Sequence, residues 1–252
     1  MSPTPAQPSD SGSSGAESAA EPAGESAGGP AITLEDQDAV ADVERYCTRA
    51  KVMSDTGVRL QVVGSVLAAW VSVLQPRGLG DQVPVVLGLR TFRLVEGRHD
   101  GFDAVFALSS VLERLARMTS TGSTAFTPPP VAEQAAWAAV TPPRTGWTPA
   151  ATVSDDELQQ IARDGIRELA DALPADPGAS MVAQARAAVW GRLLGASSPD
   201  GEDGFLPAGA AFAAHGLGFL TREGTTSVHT SGPWVRLTGP AGFVLCRRPM
   251  QL

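Results

Sequence analysis

The sequence VRLQVVGSVLAAWVSVL at residues 58–74 predicts a β-hairpin, and the neighbouring segments can be interpreted from it. Apolar residues at 58, 60 and 62 alternate with Arg59 and Gln61, which is the period of a half-buried strand. The Gly-Ser pair at 64–65 suits a two-residue hairpin turn with glycine first. The return segment is apolar on both faces and carries Trp70. We therefore expect two antiparallel strands here.

Segments on both sides of this hairpin complete a small α+β unit. Apolar residues at helical spacing predict a helix from about residue 34 to residue 53. After the hairpin, the pattern predicts a long strand over 83–95, a short strand over 104–108 and a short helix from Ser110 to about Met118. This order predicts an N-terminal antiparallel-sheet lobe with flanking helices over residues 33–118.

Residues 119–153 have a different composition, rich in proline and tryptophan. Their proline clusters forbid a long helix and favour extended backbone. A free linker rarely carries two tryptophans, so Trp137 and Trp147 are expected to pack against a domain. Together with Arg144, they are our candidates for a pocket at the junction of two lobes.

Residues 154–252 predict a helical lobe that ends in a β-meander. Ser154 followed by three acids is typical of a helix start. Two further helices are predicted, the last over 207–217, and strands follow at about 225–230, 234–237 and 243–247. Three helices followed by a hairpin is a winged-helix-like order, in which the third helix enters the major groove of DNA.

The charges of this second lobe limit what a winged helix could do. The third helix has no arginine or lysine, and His215 is its only polar side chain, so it cannot supply the usual contacts to base edges. The scaffold therefore favours contact with a protein. The basic residues Arg236, Arg247 and Arg248 keep nucleic-acid contact as an alternative.

The N-terminal segment, residues 1–32, has no aromatic residue, no lysine and no arginine, and it carries four acids. Such a Ser/Pro/Gly/Ala-rich segment cannot bury enough apolar surface to offset its backbone entropy, which predicts a disordered acidic tail. The whole chain has a net charge of −8, no asparagine and a single lysine, Lys51. Scarcity of residues with AT-rich codons is typical of a high-GC bacterium.

The cysteines and the hydropathy pattern indicate in which cellular compartment the protein lies. Cys47 and Cys246 lie far apart and outside any Cys-x-x-Cys pair, so we expect reduced thiols in a cytoplasmic protein. No positively charged start precedes an apolar run, and no apolar stretch reaches the ~18 residues that a membrane span needs. We therefore expect no signal peptide and no membrane contact.

The sequence has no familiar signature of catalysis or cofactor binding. It has no phosphate-loop motif, no Gly-x-Ser-x-Gly elbow and no Cys/His cluster at zinc spacing. We expect His99, His215 and His229 to have structural or solvated roles. The acidic loop at 200–204 breaks the EF-hand pattern, because Gly204 falls where a ligand is needed. The sequence thus predicts no catalytic residue, no cofactor and no metal.

Three functions stay open at this point. We prefer a soluble, non-enzymatic protein-interaction or regulatory module whose protein partner is not identified. The alternative is a nucleic-acid-binding protein that uses the C-terminal lobe. The third is a small-molecule-binding protein or an enzyme with its site at the lobe junction. The sequence leaves the oligomeric state open.

Overall fold

The computed structural model describes residues 1, 31–78, 81–95, 99–194 and 205–249 of the 252-residue chain. Within these ranges the chain forms ten β-strands, five α-helices and one short 3-10 helix. Most of the predicted acidic tail and the acidic loop at 200–204 lie outside the described residues, so both stay predictions.

The elements fall into two halves joined by a long connection. The first half contains β1 (Ile32–Thr33), α1 (Gln37–Met53), β2 (Val58–Val63), β3 (Val66–Leu74), β4 (Val85–Arg93), β5 (Asp103–Phe106), α2 (Leu108–Thr121) and β6 (Ala125–Phe126). Residues 127–147, which we call the strap, follow and include the 3-10 helix Ala136–Ala139. The second half contains β7 (Thr148–Ser154), α3 (Asp155–Ala172), α4 (Ala179–Gly191), α5 (Ala208–Leu217), β8 (Thr225–Ser231), β9 (Trp234–Gly239) and β10 (Gly242–Arg247).

Eight of the strands form one antiparallel sheet to which both halves contribute. Its order is β5-β2-β3-β4-β10-β9-β8-β7, and the central pair, β4 and β10, joins the two halves. The order is symmetric about that pair, because each half places a three-stranded meander at the centre and one further strand at the edge. The strands β1 and β6 form a separate two-stranded sheet. The predicted α+β class with an antiparallel sheet is therefore confirmed.

The hairpin predicted at residues 58–74 is formed by β2 and β3. Their pairing runs from Val63 opposite Val66, beside the turn, to Val58 opposite Val71. Gly64 begins the turn with a φ of 57°, a left-handed conformation that glycine adopts without steric cost. The alternation expected for β2 is also present, since residues 58, 60 and 62 are buried and the residues between them are partly exposed.

The helices cover one face of the sheet and bury its apolar side chains. The α5 helix packs closest, and eight of its ten residues are buried. A Cβ atom added at Gly88 on β4 would clash with Leu217 of α5. A Cβ atom added at Gly209 would lie only 3.0 Å from the carbonyl oxygen of Trp190. Gly209 weakens α5 as an isolated helix but permits its close packing on α4, and Gly88 permits its close packing on β4.

The strap covers the centre of the opposite face, which we call the strap face. Trp137 is 4% exposed and belongs to an apolar cluster with Leu87 of β4 and Leu245 of β10. Its indole N–H donates a hydrogen bond to the carbonyl oxygen of Thr56 at 3.0 Å. Because both faces are covered here, β3 can be apolar on both sides, as its sequence indicates.

The winged-helix-like order predicted for residues 154–252 is wrong as a description of the fold. The strands β8, β9 and β10 do not form a separate wing, because β10 also pairs with β4 of the first half. The α5 helix is almost wholly buried, whereas a recognition helix needs an exposed face to enter DNA. Element order is visible locally in a sequence, but the pairing of β10 with β4 joins residues far apart in the chain.

Candidate functional site

A cavity of about 210 Å³, which we call the strap pocket, lies between the strap and the centre of the strap face. Its floor consists of side chains from β2, β3, β4, β9 and β10, and the C-terminal part of the strap forms its rim. The lining residues are Arg59, Gln61, Trp70, Leu89, Thr141, Pro142, Pro143, Arg144, Trp147, Arg236, Phe243 and Leu245. The pocket therefore lies where the strands of the two halves meet.

Strand register builds the floor of this pocket. Arg59 lies opposite Trp70, Trp70 lies opposite Leu89, and Leu89 lies opposite Phe243. Directly opposed residues in antiparallel strands project to the same face, so these four side chains form one row across four strands. The row gives the pocket an aromatic and aliphatic floor with a guanidinium at one end.

Arg236 supplies a second guanidinium on the floor. Its guanidinium carbon lies 4.5 Å from the centre of the Trp147 ring and 5.7 Å from that of Phe243, which is cation–π geometry. Its Nε donates to Oγ1 of Thr238 at 3.1 Å, and burial lowers the pKa of the Arg236 side chain. No ion pair among the described residues includes Arg236. Its charge is thus held against aromatic rings without a carboxylate.

Arg59, in contrast, already has a carboxylate partner and holds the strap in place. Its Nε and Nη2 donate to the two oxygens of Asp103 at 2.6 and 2.5 Å, and its Nη1 donates to the carbonyl oxygen of Ala138 at 2.8 Å. The hydrogen bonds from Arg59 lower the pKa of Asp103, and Arg144 and Gln61 act in the same direction. Arg59 therefore fixes the strap to β2.

The two indole groups of the pocket differ in their hydrogen bonds. The Trp147 N–H donates to the carbonyl oxygen of Pro143 at 2.9 Å, so this hydrogen bond joins two residues of the strap. The Trp70 N–H is buried and has no hydrogen-bond partner in the described part of the chain. A buried donor without a partner costs free energy, so an acceptor supplied from outside the chain would stabilise this site.

The chemistry available in the strap pocket is binding chemistry. Among the lining residues that the structure describes, the only ionisable side chains are Arg59, Arg144 and Arg236. A guanidinium stays protonated in proteins, so none of them can exchange a proton with a substrate near neutral pH. Arginines beside aromatic rings can pair with a carboxylate and contact an apolar group at the same time.

The structure brings together residues from two separate sequence predictions. Arg144 and Trp147, predicted at the lobe junction, line the strap pocket together with Arg236 from the predicted basic group. Trp137 belongs to the strap, and its side chain is buried against the sheet but does not line the pocket. The role of these residues in binding stays a prediction.

The other predicted basic residues do not join this site. Arg247 is half-buried near the end of β10, and the guanidinium carbon of Arg248 lies 5.3 Å from the centre of the Phe205 ring. Neither Arg59 nor Phe243 was predicted as a site residue, and Trp70 was interpreted as a core residue in preference to a pocket residue. A turn at 64–65 fixes the hairpin register, so the pairing of Arg59 with Trp70 was available from the sequence. The position of Phe243 could not be predicted in this way, because it depends on the long-range pairing of β10 with β4.

The histidines and the possible metal ligands considered in the sequence do not add to the strap pocket. None of the three histidines lines the strap pocket. His215 is partly buried on α5, and burial, together with Arg163 and Arg49, lowers its pKa. Within the described ranges, no group of three or more His, Cys, Asp or Glu side chains could hold a metal ion. No helix in those ranges is both long and apolar enough to cross a membrane.

Two family models, each for a domain of unknown function, match this chain. DUF8010 matches residues 29–139 and DUF8185 matches residues 142–251, so the division falls within the strap. No protein of curated function matches the sequence. The two models thus match successive segments of the chain and assign no activity.

Solved structures of DNA polymerase III β subunits, the DnaN sliding clamps, are similar in fold. A putative β subunit from Eubacterium rectale has a TM-score of 0.52 and 6% sequence identity, with 89% of this chain and 66% of that chain covered. The β subunit from Borrelia burgdorferi, solved with a natural product, has a TM-score of 0.50 and 8% identity, with 87% and 65% covered. The chain thus spans about 65% of these subunits and has a sliding-clamp-like fold.

Proposed function

We propose that the protein is a non-enzymatic interaction module whose strap pocket binds a segment of a partner protein. The segment would carry an acidic side chain next to an aromatic or large aliphatic one. The observation that carries this proposal is the position of Arg236, which is stacked on Trp147 above an apolar floor and has no carboxylate partner among the described residues. An occupant with both groups would pair with the guanidinium and bury its apolar side chain on the floor.

The size and composition of the pocket favour a protein segment as the occupant. Its volume of about 210 Å³ is below the range of roughly 300–1,000 Å³ typical of small-molecule sites, and it suits one or two side chains. Tryptophan and arginine are the residue types that most often carry the binding energy of protein interfaces. The likeness in fold to proteins that are, by name, subunits of a DNA polymerase also supports a protein partner.

Charge supports an acidic partner over nucleic acid. The five described helices together carry ten acidic and eight basic residues, so they offer no net excess of positive charge to a phosphate backbone. The arginines of the strap pocket are concentrated on a chain whose net charge is −8. A local positive site on an acidic protein attracts an acidic segment while the rest of the surface repels other acidic chains.

Selection of peptides from a display library tests this function. The full chain is immobilised, a random library is selected on it, and the affinity of each enriched peptide is measured by fluorescence anisotropy. We expect the enriched peptides to share an acidic residue beside Leu, Phe or Trp. The Arg236→Gln variant should bind them at least roughly tenfold more weakly, because hydrogen bonds to charged groups contribute about 1.5–3 kcal/mol.

A matched control separates this effect from general electrostatics. Arg222 is exposed and lies outside the pocket, so Arg222→Gln removes the same charge and should leave the affinity unchanged. Equal weakening by both variants, or enriched peptides without an acidic residue, would contradict the proposal. Salt-sensitive binding of duplex DNA that is lost on replacing Arg247 and Arg248 would favour the nucleic-acid alternative.

A further inference from the structure

A second cavity, of about 470 Å³, lies beside α4 and is separate from the strap pocket. We call it the α4 pocket. It is an open pocket lined by α4, the C-terminal end of α1, the end of β3 and the described residues Gln75, Arg77, Asp81 and Val83 between β3 and β4. Most of its lining is apolar, including Val73, Leu74, Val83 and Val182. Its volume falls within the range of roughly 300–1,000 Å³ that is typical of small-molecule sites.

Arg186 is the unusual member of this lining. It is half-buried on α4, its Nη2 donates to the carbonyl oxygen of Val73 at 3.2 Å, and its guanidinium carbon lies 5.6 Å from the centre of the Phe212 ring. Burial lowers the pKa of this arginine. No ion pair among the described residues includes it, although a cation withdrawn from water normally needs an anion nearby.

The other polar groups of the lining do not compensate this charge. Among the described lining residues Asp81 is the only carboxylate, and its two oxygens accept hydrogen bonds from the backbone N–H groups of Arg77 and Val83 at 3.0 and 3.1 Å. Arg77 adds a second positive charge to the lining. Ser72 is 2% exposed, and its buried hydroxyl has no hydrogen-bond partner among the described residues. The described lining therefore carries two guanidinium groups and one carboxylate, a net positive charge.

We infer that the α4 pocket binds a small carboxylic acid with an apolar body. The carboxylate would pair with Arg186, and the apolar body would lie against the valine and leucine side chains of the lining. Hydrogen bonds between a guanidinium and a carboxylate are about twice as strong as neutral ones, and a mostly apolar surrounding strengthens them further. This inference does not depend on the strap pocket, because the two cavities share no lining residue.

Calorimetric titration of the full chain at neutral pH tests the inference. The probe is 4-phenylbutyrate, and 4-phenylbutanamide serves as the neutral ligand of the same shape. We expect the acid to bind and the amide to bind at least roughly tenfold more weakly, because the amide lacks the charge that pairs with Arg186. Arg186→Gln should reduce the affinity for the acid by a similar factor.

Two further variants keep the result interpretable. Arg77→Gln changes a side chain on an exposed loop and should weaken binding of the acid without affecting folding, which thermal unfolding checks. Arg192→Gln, just beyond the end of α4 and outside the pocket, should leave binding unchanged. Absence of binding, equal binding of acid and amide, or the same loss in Arg192→Gln as in Arg77→Gln would overturn the inference.

Discussion

Replacing Asp155 with alanine should lower the free energy of unfolding by about 3–5 kcal/mol. Asp155 is fully buried at the first position of α3. Its Oδ2 accepts hydrogen bonds from the backbone N–H and the hydroxyl of Thr221 at 2.7 and 3.0 Å, and its Oδ1 accepts one from the hydroxyl of Thr226 at 2.6 Å. The carboxylate thus joins α3 to β8 and to the loop before it.

The magnitude follows from these three hydrogen bonds. A hydrogen bond to a charged group contributes about 1.5–3 kcal/mol, so three independent bonds would contribute about 5–9 kcal/mol. Two of the three come from Thr221 and are not independent, and Thr221 is exposed, so water can satisfy its donors after the substitution. The buried hydroxyl of Thr226 has no such access. These corrections reduce the expected loss to about 3–5 kcal/mol.

Urea unfolding measures this loss, and the neighbouring acid is the control. Asp156 is exposed in the same turn of α3, so Asp156→Ala removes only its favourable interaction with the helix dipole, about 0.3–1 kcal/mol. We expect a large shift in the unfolding midpoint for Asp155→Ala and a small one for Asp156→Ala, with an unchanged slope. Similar shifts for the two variants, or a loss below about 1 kcal/mol at Asp155, would refute the reasoning.

Other residues give shorter tests. Trp137→Ala should destabilise the chain by about 3–5 kcal/mol in urea unfolding, since it removes a buried indole under the strap; a loss below about 1 kcal/mol would contradict that packing. Burial lowers the pKa of His215, so stability should fall as the pH drops below the unfolded pKa of about 6.5 and through the lower pKa of the folded state. His215→Gln should reduce this fall, and an equal fall in both proteins would exclude His215 as its source. Burial raises the pKa of Cys47 to about 12 and raises that of Cys246 as well, so iodoacetamide should label both only in urea, and rapid labelling of the native chain would be inconsistent with their burial.

Local sequence signals predicted the elements well where the signal and the structure share the same residues. The β2–β3 hairpin follows from alternation and a Gly-Ser turn, and Ser154 caps α3 by accepting a hydrogen bond from the Asp156 N–H at 3.2 Å. The helix α1 begins at Gln37, three residues later than its pattern predicts. Asp36 is the cap in the structure, while Thr33 belongs to β1 and pairs with Ala125.

Long-range pairing explains what the sequence could not supply. The strand β7, residues 148–154, lies beside β8 at the edge of the sheet, and its register shifts between Pro149 and Ala151. Edge strands and bulges are the places in a sheet that tolerate proline. The proline and the exposed residues of β7 indicate a connector when taken alone. The strap pocket depends in the same way on the β4–β10 pairing, which brings Phe243 beside Leu89. No local pattern encodes that contact.

Titration of the chain with a selected acidic–aromatic peptide, followed through the indole N–H signals in two-dimensional NMR spectra, tests the strap pocket most directly. The chain has five tryptophans, and two of them, Trp70 and Trp147, line the pocket. Their signals should shift and saturate together, with the larger change at Trp70, whose N–H has no partner among the described residues. Trp190, which stacks on Phe212 within the helical layer, should not move. Shifts at Trp190 without shifts at Trp70 and Trp147, or no saturable change at all, would contradict binding at the strap pocket.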